Sequence, residues 1–60
     1  MVKDVTNDII LDYCCSDLCD VTILCEKKGI IIEDVNFDGY MYTLACEDRI
    51  IEFQPTENKS

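Results

Sequence analysis

Histidine is absent from this chain of 60 residues, and cations are scarce: five Lys/Arg stand against thirteen Asp/Glu, for a net charge of −8. Without an imidazole, general acid–base chemistry falls to a carboxylate or to a perturbed Cys or Lys. No Ser lies near a plausible base. The thiols of Cys14, Cys15 and Cys19 sit among Asp12, Asp17 and Asp20, which oppose thiolate formation. The expectation is therefore a protein that is not an enzyme and carries no cofactor. Scarce cations also argue against direct binding of nucleic acid or anionic lipid, because Lys27, Lys28 and Arg49 are too few to make a phosphate-binding footprint. No apolar run approaches the ~18 residues of a membrane span. Met1 to Asp8 holds three charges and no apolar stretch, unlike a secretory leader. The chain reads as cytoplasmic, with reduced thiols.

What is present is a hydrophobic content of 48%, too high for a disordered acidic tail. Residues 1–55 read as a single α+β domain and residues 56–60 as a polar C-terminal tail. A chain this short buries only about 60% of its unfolded surface, so its core is small. The expected architecture is an N-terminal helix packed on a four-stranded antiparallel β-meander, with curling toward a small barrel as a variant. Residues 1–19 contain no Gly or Pro, and Val2, Val5, Ile9, Ile10, Tyr13, Cys14 and Leu18 recur three or four apart, as on a helix face. Asp4, Asp8 and Asp12 then fall on the opposite face, where each neighbouring pair repels by about 0.2–0.5 kcal/mol.

From Val21 onward the pattern favours strands and tight turns. Asp38-Gly39 is a two-residue hairpin signal. Lys27-Lys28-Gly29 fits a three-residue loop with glycine in the left-handed position. Asp48-Arg49 supplies a third turn. Together these predict one sheet face made of Val21, Ile23, Cys25, Ile31, Val35, Phe37, Tyr40, Tyr42, Leu44, Cys46, Ile51 and Phe53. A one-residue slip would scatter that set. Glu33 is the misfit on this face, since an unpaired buried carboxylate is costly. The opposite face would carry Leu24, Ile32 and Ala45 as an apolar row flanked by Ile30, Ile50 and Met41. An exposed patch of that kind marks an interface.

Cys14, Cys15, Cys19, Cys25 and Cys46 show none of the C-x2-C spacing of zinc sites, so they read as small buried hydrophobes, with a thiolate zinc module as a distant alternative. Cys25 and Cys46, two strand spacings or about 9–10 Å apart in the expected sheet, are too distant to bridge. Asp34-x-Asn36-x-Asp38-Gly39 resembles the start of an EF-hand calcium loop. The twelfth position, a bidentate Glu in that loop, is Ala45, and the hairpin turn accounts for the same residues without a metal. Phe37-Asp38-Gly39-Tyr40-Met41 resembles the F-D-x-x-M stretch of Sm-like RNA-binding barrels. That resemblance implies a small barrel preceded by a helix. It does not carry RNA binding, because the base-holding Asn after Met is Tyr42 here and the basic second motif is missing.

The functional expectation is a small acidic protein-binding module, an inhibitor or modulator occupying a basic surface of a partner such as a DNA- or RNA-processing protein. Its contact residues would be Asp4, Asp8, Asp12, Asp17, Asp20, Asp34, Glu47 and Glu52, with Leu24, Ile32, Met41 and Ala45 as the apolar centre. The carboxylates would stand in for phosphates. The alternative is an assembly subunit that closes a homodimer through the outer sheet face.

Overall fold

The computed structural model describes residues 1–55, as strands β1 (Val2–Asp4) and β2 (Ile9–Asp12), helix α1 (Leu18–Lys28), and strands β3 (Ile32–Phe37), β4 (Tyr42–Cys46) and β5 (Ile50–Phe53). The five strands form one antiparallel sheet in the order β2-β1-β5-β4-β3. The expected tail at 56–60 lies outside the described residues.

This corrects the expected architecture at three points. There is no N-terminal helix, because residues 2–12 make a β-hairpin. The segment expected to be the first strand of the meander is the helix. The sheet has five strands and stays open, since β2 and β3 occupy opposite edges and do not pair.

The hairpin forms because Asp4 organises the turn that follows it. Its carboxylate accepts the Asn7 backbone N–H at 3.1 Å and the Asn7 Nδ2 at 2.8 Å. Asp8 takes a left-handed backbone (φ 58°), a conformation that short polar residues tolerate better than others. Thr6 Oγ1 and the Val5 N–H then bond Ile50, tying the turn to β5.

Helix α1 is fixed at both ends. The Asp17 carboxylate accepts the Asp20 N–H at 3.1 Å as N-cap. Gly29 ends the helix at φ 74°. Its N–H bonds the Glu26 carbonyl while Ile30 N–H reaches back to Cys25, the paired contacts of a Schellman motif. Asp20 in the first turn and Lys27 and Lys28 in the last complement the helix dipole. Sequence reading placed Gly29 correctly in the left-handed region but assigned it to a hairpin.

Val21 and Cys25, four residues apart on α1, bury against the sheet with Cys15 and Ile30. The facing side chains are Val2 from β1, Leu44 and Cys46 from β4, and Ile51 and Phe53 from β5. The tight turns at Asp38-Gly39 and Asp48-Arg49 predict Phe37 opposite Tyr40 and Leu44 opposite Phe53; the structure sets Phe37 opposite Tyr42 and Leu44 opposite Ile51, a displacement of two residues in each register. An even displacement preserves the face of every residue, so the expected inner set on β4 and β5 survives. Asp38 causes the first displacement: its carboxylate takes the Tyr40 and Met41 N–H groups at 2.8 Å each, which widens the turn. A β-bulge between Ile32 and Asp34 resolves the Glu33 misfit. Ile32 turns in against the core, and Glu33 is exposed.

Candidate functional site

The candidate contact residues separate into four environments. Asp4 is part of the fold itself. It is 1% exposed and pairs with Arg49 at 3.3 Å. The hydrogen bond from the Asn7 side chain holds its carboxyl below the usual range; burial opposes this, and the Asn7 N–H and the Arg49 charge reinforce it. Asp8 projects from the hairpin turn and pairs with Lys3 at 3.2 Å. The stripe of Asp4, Asp8 and Asp12 expected on one helix face therefore does not exist.

Asp12, Asp20 and Leu24 are brought together. With Cys14, Cys15, Ile23 and Lys27 they line a shallow cleft of about 340 Å³ between the end of β2 and α1. Asp12 accepts the Cys14 N–H, and Asp20 accepts both the N–H and the hydroxyl of Ser16. Asp17 lies beside this cleft as the helix cap. Burial, Asp12 and Asp20 push the Cys15 thiol up, away from nucleophilic use. Cys25 and Cys46 are raised as well, chiefly by burial. Among the described residues no group of His, Cys, Asp or Glu is arranged to hold a metal ion.

Met41 and Glu52 line a smaller cleft with Met1, Lys3 and Gln54 on the other side of the sheet. Around it Lys3, Glu52, Thr43 and Asn36 stand in one cross-strand row. Asp34, Ala45 and Ile50 form the next row.

The apolar row expected from Leu24, Ile32 and Ala45 is not formed. Leu24 is on α1 and packs on the core, and the bulge turns Ile32 inward. Ala45 alone of the three remains on the outer face, which is largely polar.

No family model, curated protein or solved structure matches this chain.

In the fourth environment the acids Asp34 and Glu47 were candidate contacts from sequence, but the exposure of the apolar residues beside them was missed. This environment is the β3 edge with Glu47 beside it, where the Glu47 N–H donates to the Ile31 carbonyl at 3.0 Å. Val35 and Phe37 were expected in the core. They are on the core side of the sheet but 38% and 53% exposed, because the buried core beneath α1 is built from β1, β4 and β5, with Ile32 at the start of β3 packed against it. Nothing in the alternation of the strand signals this, since it reports the face and not how far a covering helix extends. Between Ile30 and Asp48 the chain has five carboxylates and no Lys or Arg. Among the described residues no helix is long and apolar enough to cross a membrane.

Proposed function

We propose that this chain is a non-enzymatic, cytoplasmic protein-binding module, an inhibitor or modulator whose carboxylates engage a basic surface of a partner, such as a surface that otherwise holds nucleic-acid phosphates. The observation that supports it is a charge of −8 that the fold leaves largely uncompensated. Among the described residues the ion pairs are Lys3–Asp8, Arg49–Asp4 and Arg49–Asp48, which engage only three of the acids. Asp12 and Asp20 line the cleft between β2 and α1, with Asp17 beside it as the helix cap, while Asp34 lies on β3 and Glu47 follows β4. Asp4 drops out of the contact set, being internal. Opposite potentials across an interface steer association and fix partner choice.

Capture from cell extract with the full chain, repeated at low and physiological salt, tests this reading. Captured proteins should be basic, should be released as salt rises, and should be displaced by added duplex DNA or RNA. Retention indifferent to salt counts against it. A second reading, a homo-oligomeric assembly subunit, is favoured by the exposure of Ile9, Ile23, Ile31 and Phe37. Sedimentation of the isolated chain distinguishes it.

A further inference from the structure

We propose that β3 is the docking edge and that its occupant is an extended, cationic segment of a partner protein, added to the sheet as a sixth strand. This rests on the basic-partner reading above and narrows it to one place and one mode of binding.

Three observations converge on that edge. First, among the described residues β3 pairs only with β4, and its second side has no neighbour in the sheet. At six residues it is also longer than β2, the four-residue strand at the other edge, whose pairing with β1 is irregular. A free strand edge offers a row of backbone N–H and C=O groups to an incoming chain.

Second, the core continues to this edge without being covered there. Phe37 stacks on Tyr42 with ring centroids 4.4 Å apart, and Tyr42 on Phe53 at 5.9 Å. The inner ring is fully buried and the outermost is half in water. Ile31 and Tyr40, 59% and 64% exposed, bracket the strand. A sixth strand would bring apolar side chains beside Val35 and Phe37 on the helix side.

Third, charge selects the occupant. Glu33 and Asp34 are exposed on the strand itself, and Asp38 follows in the turn. The Asp34 carboxylate accepts the Val35 N–H at 3.0 Å, its one side-chain hydrogen bond among the described residues, and a cation meeting Asp34 would release that N–H. A second copy of β3 would set these carboxylates against their own kind, and like charges on paired strands destabilise the pairing. A strand alternating Lys or Arg with valine-like residues suits both sides. Its cations would meet Asp34 on the outer face, and its apolar residues would extend the Phe37–Tyr42–Phe53 row.

The test uses the full chain and an eight-residue acetylated peptide of alternating Lys and Val. Its controls are the same peptide with alternate backbone amides N-methylated, and the chain carrying E33K and D34K together. Amide NMR and hydrogen exchange report the place of binding. The expected result is protection confined to β3, with binding weakened about tenfold or more by N-methylation and by the double charge reversal. The N-methylated peptide needs no substitution in the protein, so it tests strand addition on the wild-type fold whether or not the E33K/D34K chain folds. Perturbations at Asp12, Asp17 and Asp20 instead of β3 would overturn the docking edge and leave the basic-partner reading standing. Equal affinity for the N-methylated peptide would overturn strand addition. Dimerisation through β3 would make a second copy the occupant, and absence of any binding would reduce the carboxylates to protection of a bare edge.

Discussion

Asp4 couples its own ionisation to folding. Its folded carboxyl titrates below the ordinary range because Asn7 donates to it from both side chain and backbone, with Arg49 adding its charge. In the unfolded chain it returns to the usual value near 3.8. A depressed native pKa means stability that is present above the unfolded value and lost as pH falls through the folded one. Urea unfolding followed from about pH 5 to about pH 2 should show this loss, and Asp4→Asn should flatten it while costing about 1–3 kcal/mol at neutral pH. An unchanged acid limb in Asp4→Asn would assign the pH dependence to other carboxylates. As a candidate contact residue, Asp4 was legible in sequence only as an acid; its burial beside Arg49 depends on two residues 45 positions apart meeting across β1 and β5. Arg49 itself looked like one of a few stray surface cations.

At the scale of elements, capping residues outweighed the intrinsic preferences of the helix interior. Val21-Thr22-Ile23 is a β-branched run that favours a strand. Asp17 and Gly29 nevertheless bound it as a helix, and Val21 and Cys25 supply the buried stripe. A Cβ at Gly29 would meet no heavy atom within 4 Å, so Gly29→Ala tests the backbone conformation alone. It should cost about 1 kcal/mol in chemical denaturation, and Gly29→Asn less, since asparagine accepts the left-handed region more readily. Equal loss in both variants would point to disturbed packing at Ile30. The N-terminal hairpin misled in the opposite direction. Val2, Val5 and Ile9 satisfy a helical period, yet Thr6-Asn7-Asp8 between them is a cluster of turn formers, and the turn prevails.

For the whole molecule, net charge opposes compaction. With −8 on 60 residues, self-repulsion acts across a small globule. Raising ionic strength from about 0.01 M to about 0.15 M shortens the screening length from about 30 Å to about 8 Å. The Tm should rise over that range in scanning calorimetry, with the buried Asp4–Arg49 pair little affected. A falling Tm would mean that attractive surface pairs outweigh the repulsion. The same screening should weaken binding to a basic partner, so the two measurements move in opposite directions.

The sequence by itself determined which residues of β4 and β5 face inward, because strand alternation survives any register error of two. It also determined the left-handed glycine, the acidic exterior and the turn at Asp38. Tertiary structure decided what alternation and composition leave open: that residues 2–12 form a hairpin, that β1 pairs with β5, and that a bulge turns Ile32 in and Glu33 out. It also decided that the core beneath α1 reaches Ile32 but leaves Val35 and Phe37 uncovered. Those outcomes depend on long-range pairing and on how far one short helix reaches over a five-stranded sheet. Neither is encoded in the spacing of neighbouring residues, which is why the exposed edge at Val35 and Phe37 was read as core.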